Sequence, residues 1–261
     1  REYMNIPDIQ SQSDPRKIVI DKVGVKGLRY PIVVEDRTKG TQHTIADLNI
    51  YVELPHHMRG THMSRFIEIL HHYHTEALIA NLPDFLAELK ETLKAEASYI
   101  DISFPYFMTM KAPVSRIESI MTFDCVFTAS LKDEYQLLIG VIVPVTSLCP
   151  CSKEISAYGA HNQRSLITIK VSYDGFVWLE ELIELAQSAA SCEIYSLLKR
   201  VDEKYVTEKA YNNPMFVEDV VREITLKLQD DPRILSFFVE SENEESIHLH
   251  NAYAMISRPV K

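Results

Sequence analysis

The segment Pro144–Arg164 concentrates two thiols (Cys149, Cys151), an imidazole (His161), a lysine (Lys153), an arginine (Arg164) and several hydroxyls. A thiolate and an imidazole are good ligands for zinc and other first-row divalent metals. Two protein ligands are too few, and a carboxylate can complete the set. Glu203, near the C-terminal end of a predicted long helix, offers one, with Asp202 and Glu208 close by. Cys149, His161 and Glu203 together would leave one vertex for water, which the cation would acidify into a nucleophile near neutral pH. A carboxylate in place of a second thiolate hardens the site, so Mn²⁺ or Fe²⁺ stands beside Zn²⁺. Other readings of the cysteines stay open. A Cys-Pro-Cys pair can be redox active, although such motifs normally sit at a helix start. A free Cys can be a small buried hydrophobe, which suits Cys125 and Cys192. The cluster His71-His72-Tyr73-His74 lacks HExxH spacing and reads as an exposed or interface helix face.

The rest of the chain must position these groups. With 261 residues, 46% of them apolar, it can bury a full core and is not disordered, collagenous or coiled coil. A net charge of −10 disfavours non-specific nucleic-acid binding, so any anionic ligand needs Lys and Arg concentrated locally. Four cysteines in so long a chain make no disulfide framework. GxGxxG and GxxxxGK[ST] motifs do not occur, which disfavours Rossmann and P-loop nucleotide sites. No apolar run approaches the roughly 20 residues needed to span a bilayer. Residues 1–8 lack an apolar signal core, so the expectation is a cytoplasmic protein without membrane contact.

Residues 1–26 are polar and irregular and read as an arm. Residues 28–35 and 43–54 read as a hairpin, and 64–80 and 83–97 as helices with apolar faces. Residues 98–111 and 116–130 then read as strands. The order recurs: strands at 135–146 and 164–173, a long helix from 177 to about 204, a second helix over 216–229, and strands at 234–240 and 247–256. The periodicity therefore predicts two tandem ββααββ modules, 27–131 and 135–257, each an α+β layer of four antiparallel strands and two helices. Small sheets with free edges tend to be closed or covered, so halves or chains could join edge to edge into a barrel. Ligand sites would then fall at interfaces.

The string Cys149-Pro150-Cys151-Ser152-Lys153-Glu154-Ile155-Ser156, followed by Gly159-Ala160-His161-Asn162-Gln163-Arg164, resembles the signature of GTP cyclohydrolase I type IB, the FolE2 family. Arg59-Gly60-Thr61-His62-Met63-Ser64-Arg65-Phe66, Phe104-Pro105, Lys111-Ala112-Pro113-Val114-Ser115 and Ile247-His248-Leu249-His250-Asn251-Ala252-Tyr253-Ala254 are similar to that family too. The resemblance implies the tunnelling fold, with two tandem modules per subunit and homotetramers whose active sites lie at subunit interfaces. It implies conversion of GTP and water to 7,8-dihydroneopterin triphosphate and formate, the opening step of folate (tetrahydrofolate) biosynthesis, with one divalent metal (Mn, Fe or Zn) per subunit. Cys149 and His161 would bind that metal, with Glu203 as third ligand. Cys151 would share the pocket as a proton relay or an oxidation-sensitive thiol.

Ring opening, loss of formate, ribose rearrangement and reclosure all need proton shuttles. His248, two residues from His250 on a predicted strand and so on its face, is the favoured acid/base. Guanine presents N1–H and an exocyclic amine on one edge, which a single carboxylate can accept together. Glu218 resembles the family's purine anchor, although a first-turn Glu also suits a helix dipole. Lys153, Arg164, Arg65 and Lys111 would neutralise the triphosphate, with Thr61, His62 and Ser64 adding hydrogen bonds near a helix start. The competing reading is a related tunnelling-fold oxidoreductase that reduces a deazapurine nitrile with NADPH through a free cysteine nucleophile. Occupation of Cys149 by a metal would discriminate against it.

Overall fold

A computed structural model describes residues 8–73 and 78–260. In chain order the elements are β1 (Ile20–Asp36), β2 (Gly40–Leu54), α1 (Met63–His72), α2 (Leu82–Leu93), β3 (Ser98–Lys111), β4 (Glu118–Leu131), β5 (Tyr135–Leu148), α3 (Pro150–Ile155), β6 (Asn162–Tyr173), α4 (Leu179–Ser188), β7 (Cys192–Glu193), α5 (Arg200–Asn212), α6 (Val217–Asp230), β8 (Ile234–Asn243) and β9 (Ala252–Pro259). The chain forms two compact units. One takes the chain up to Phe104 together with Phe127–Leu137; the other takes Pro105–Val126 and everything from Leu138 on. Among the described residues no helix is long and apolar enough to cross a membrane.

In the first unit, β2 alternates strictly. Ala46, Leu48, Ile50, Val52 and Leu54 are buried while their neighbours face outward. It pairs antiparallel with β1 on one side and β3 on the other. Phe66, Ile69 and Leu70 of α1 and Phe85, Leu86 and Leu89 of α2 supply the helical side of the core. Ile20–Lys26, expected within an irregular arm, belong to β1, where Val23 and Val25 pair with Val52 and Ile50. Val23, Gly24 and Val25 are half-buried there and Lys22 lies over the Tyr51 and Tyr99 rings, while the flanking residues are exposed, so the burial does not alternate. The helix expected over 64–80 stops at His72. Tyr73 turns extended, its carbonyl accepting from the Tyr30 hydroxyl at 3.2 Å and its ring meeting Phe85 edge-on. His74 and Ala77 lie outside the described residues.

In the second unit β5, β6, β8 and β9 run antiparallel in that order, and β7 also pairs with the end of β5. Val141, Val143 and Val145 of β5, Ile167 and Ile169 of β6, and Val239 of β8 are fully or almost fully buried. Leu182, Ile183 and Ala186 of α4 and Val220, Val221, Ile224 and Leu228 of α6 complete the core.

Two expectations fail here. The helix expected from 177 to 204 breaks after Ser188, although its apolar stripe continues in spacing to Leu198. Ser191 Oγ accepts the Leu148 N–H at 3.0 Å, and Cys192–Glu193 pair with Thr146 and Val145. These tertiary bonds override a weak helical preference among small residues. The strand expected over 247–256 begins only at Ala252, because β8 extends to Asn243 and pairs it with Ala252. Residues 247–250 are therefore an exposed bend.

Candidate active site

The base of the β5–β6 connection is closed by backbone, with Cys149 N–H donating to the His161 carbonyl at 3.1 Å. Cys149 is the N-cap of the six-residue α3, and its Sγ accepts the Ser152 N–H at 3.5 Å. Pro150 follows in the first turn, where a missing N–H costs nothing. The Cys-Pro-Cys pair thus does stand at a helix start, and both of its thiols are free. Ser152 Oγ donates to the Cys149 carbonyl and accepts from His161 N–H, each at 3.2 Å. One hydroxyl therefore binds both ends of the loop. Gly159 sits at φ 149°, a backbone geometry that side chains resist, so the chain reverses toward His161 without strain.

His161 is mostly buried, and its Nδ1 lies 2.9 Å from Gln163 Oε1. An amide oxygen only accepts, so this contact suits the tautomer with the proton on Nδ1, the one that leaves Nε2 a lone pair for a metal. Ser246 Oγ at 3.4 Å and Glu245 Oε2 at 4.0 Å face the same nitrogen.

Cys149, Ser147, Gln163, Glu218, Glu245 and Tyr253 line a cavity of about 230 Å³. Three hydrogen bonds put Glu218 there. Met215 N–H donates to the Leu148 carbonyl at 3.1 Å, Ser147 Oγ donates to the Met215 carbonyl at 3.3 Å, and Asn243 Nδ2 donates to Ser147 Oγ at 3.0 Å. The start of α6 is thereby pinned to the end of β5. Asp219 accepts the Phe216 N–H at 3.0 Å and does the capping, while Glu218 faces the cavity.

The opposite face of the β5–β6 pair carries a small apolar cluster of Leu148, Cys192 and Ala210, with Ala160 and Val206 packed on it. Burial pushes the Cys192 thiol up to about 11, and pushes buried Cys125 higher still, so both are inert hydrophobes as expected. Beside the cluster, Arg164, Glu193, Tyr195 and Tyr211 line a cleft of about 470 Å³.

Glu203 lies in the first turn of α5, not near the end of a long helix, and is exposed. It shares a helix face with Ala210, a member of that cluster, and Val206, which packs on it. Its neighbour Asp202, expected at a solvated helix end, is fully buried. Burial would raise the Asp202 pKa, but hydrogen bonds from Ser115, Lys199 and Val114 outweigh it and hold the carboxyl well below the usual carboxylate range.

Lys153 donates to the Tyr211 carbonyl at 2.5 Å and lies 4.4 Å above that ring, which ties α3 to the end of α5. Arg164 and Cys151 are exposed. His248 and His250 occupy the 247–250 bend rather than a strand, yet their rings stack at 5.0 Å. Lys111 pairs with Glu118 at 3.2 Å. Thr61, His62, Ser64 and Arg65 belong to the first unit at the start of α1. There Thr61 is buried, His62 Nε2 lies 3.1 Å from Asp8, Ser64 is exposed, and Arg65 donates to the Thr92 carbonyl at 3.3 Å.

The structure therefore brings Cys149 and Glu218 to one cavity, with His161 tied to Cys149 through the loop backbone. Among the described residues no three His, Cys, Asp or Glu side chains already converge on one point. A thiol, an imidazole with its Nε2 available and carboxylates nearby still form a donor set that suits a divalent cation. Sequence reasoning missed Gln163, Glu245, Ser147 and Asn243. The alternation of β6, which sets Gln163 on the face of His161, was the one local signal available.

The family model described as type I GTP cyclohydrolase FolE2 matches residues 6–254. The GTP cyclohydrolase FolE2 of Nitrosococcus oceani is 54% identical over 97% of this chain and 95% of its own length. That of Magnetococcus marinus is 56% identical over 96% and 95%. Among solved structures, urate oxidase from Bacillus subtilis 168 aligns with a TM-score of 0.53 at 10% identity, over 91% of this chain and 98% of that one. Urate oxidase from Bacillus sp. TB-90 aligns at 0.52 and 11% identity, over 92% and 99%. At such identities the likeness concerns fold alone, and it places the antiparallel sheet and its helices in the tunnelling fold. A family match across nearly the whole chain, with relatives of equal length more than half identical, means that this chain belongs to the type I GTP cyclohydrolase FolE2 family.

Proposed function

We propose that this chain hydrolyses GTP to 7,8-dihydroneopterin triphosphate and formate, as the first step of folate biosynthesis in the cytoplasm. The observation that carries the reading is the cavity shared by Cys149 and Glu218, with His161 fixed alongside by Gln163. At about 230 Å³ the cavity lies below the roughly 300–1,000 Å³ of complete ligand sites, which suits the guanine ring with the rest of the nucleotide extending beyond it. Glu218 accepts from N1–H and the exocyclic amine together, a charge-assisted pair that orients the base. Cys149, His161 and Glu203 are the residues to hold one divalent cation, Mn, Fe or Zn, per subunit. A divalent cation held there would supply Lewis acidity that lowers the pKa of a water directed at guanine C8.

His248 moves protons during ring opening and reclosure, and Cys151 lies one residue along α3 from the Pro150 turn as a second relay. Arg164, Lys153, Lys111 and Arg65 supply the positive charge that a triphosphate needs on a chain of net charge −10, with Thr61, His62 and Ser64 as hydrogen-bond donors. A homotetramer with active sites at its subunit interfaces is the assembly this reading requires. The nitrile oxidoreductase reading is not favoured, because the relatives more than half identical to this chain are GTP cyclohydrolases.

The test is to strip the protein with EDTA, add GTP, and restore Mn²⁺, Zn²⁺ or Fe²⁺ separately. Pterin fluorescence after oxidation and dephosphorylation is the readout. A metal-dependent signal supports the reading; a chain silent with every metal overturns it.

A further inference from the structure

We propose that Asp202 is a positioning residue whose carboxylate fixes the turn that follows Lys111 and the helix start bearing Glu203 to one another. The helix α5 buries only Asp202 and Ala210, so apolar packing does little to hold its first turn. Asp202 does so instead. Its Oδ1 accepts the Val114 and Ser115 N–H groups, both at 2.8 Å, and its Oδ2 accepts the Ser115 hydroxyl at 2.6 Å and the Lys199 N–H at 2.9 Å. Four donors saturate a fully buried carboxylate.

The turn it grips is not relaxed. Ala112 N–H bonds the Ile117 carbonyl at 2.9 Å, Arg116 N–H bonds Ala112 at 3.2 Å, and Arg116 sits at φ 62°. A non-glycine residue in the left-handed region persists only where its surroundings over-determine it. The Asp202 carboxylate provides that determination from across the unit. Lys111 immediately precedes this turn, and Glu203 immediately follows Asp202. One buried group therefore sets a triphosphate-binding lysine and a cation-binding carboxylate together, and this consequence rests on the function proposed above.

The experiment compares the full chain with Asp202→Asn and Ser115→Ala. The amide in D202N replaces one acceptor with a donor that faces other donors. Three quantities are read: Mn²⁺ binding by calorimetry without GTP, KM against kcat for GTP, and hydrogen exchange at residues 112–117. Asp202 bonds the backbone that carries Glu203 rather than its carboxylate, so D202N is expected to bind Mn²⁺ several-fold more weakly. Its KM should rise several-fold, kcat should be largely restored at saturating metal and GTP, and the Val114 and Ser115 amides should lose protection. S115A, which removes the hydroxyl bond to Asp202 together with the 3.4 Å bond that the hydroxyl accepts from Ile117 N–H, and leaves the backbone bonds of Val114 and Ser115 to Asp202, should show the same pattern more weakly at those two amides. A folded D202N with wild-type Mn²⁺ affinity and KM overturns the proposal. If D202N does not fold, S115A decides: unprotected turn amides with unchanged Mn²⁺ affinity overturn it as well. A wild-type chain that binds Mn²⁺ but makes no pterin sinks the cyclohydrolase reading, while the Mn²⁺ and exchange measurements still judge Asp202.

Discussion

The β1–β2 hairpin reverses at residues 37–39, where Asp36 Oδ1 accepts the Thr38 and Lys39 N–H groups at 2.8 Å each and Oδ2 accepts from Gln42 Nε2 at 2.9 Å. Gly40, at φ 83°, completes the turn at no steric cost. The β5–β6 hairpin keeps one register from Ile139 opposite Val171 to Leu148 opposite Asn162, whereas β1–β2 shifts twice, and then opens into residues 149–161. Its base is closed by one backbone bond and one serine hydroxyl. The first hairpin spends its polar groups on reversing the chain. The second does its reversing with backbone and Ser152, which releases Cys149, His161 and Cys151 for chemistry. A third hairpin, β8–β9, is opened in the same way and carries His248 and His250.

The comparison breaks most decisively at Cys149. If the opened loop exists to present ligands, Cys149→Ala should lose bound metal and measurable turnover together. Metal content and pterin formation on one preparation check this, and metal retained at wild-type level refutes the ligand role. His248→Ala tests whether the second opened hairpin is chemical too. General acid–base catalysis contributes about 10²–10⁴-fold, so turnover should fall by that much with metal content unchanged. Near-normal turnover would remove His248 as the proton shuttle. Glu218→Gln comes next. Hydrogen bonds to charged groups contribute about 1.5–3 kcal/mol, so GTP affinity should drop about 10- to 100-fold while the metal stays bound. Unchanged affinity would exclude Glu218 as the reader of the base.

Where the sequence was legible, the signal was local. Ser98–Lys111 reads as a strand and is one over the same residues, because its alternation and its flanking breakers lie within the segment. Cys149 and His161 are likewise close in sequence, and the loop ties them by one backbone bond, from the Cys149 N–H to the His161 carbonyl. What escaped depends on contacts that no window contains. The break after Ser188 is made by Leu148 and Thr146, far back in the chain. Gln163 orients His161 from the strand beyond the loop, and Glu245 faces the same nitrogen from the far end of β8. Asp202 read as a solvated helix-end acid because the turn it grips lies at Val114 and Ser115. Ile20–Lys26 are recruited by pairing with the far end of β2, a contact outside any local window, and their burial does not alternate.

The smallest expected effect on activity sits at the self-contained hairpin. Asp36 is 5% exposed, and its three hydrogen bonds all serve the turn. Asp36→Ala should cost about 1–2 kcal/mol, because the freed N–H groups lie at a loop tip where water can replace part of what they lose. For a chain of this length that is a fall in Tm of about 2–4 °C per kcal/mol. Turnover and metal content should match the wild type once the chain is folded, measured below the shifted transition. Equal stability with impaired turnover would reverse the comparison: the tight turn, and not only the opened one, would then be shaping the site.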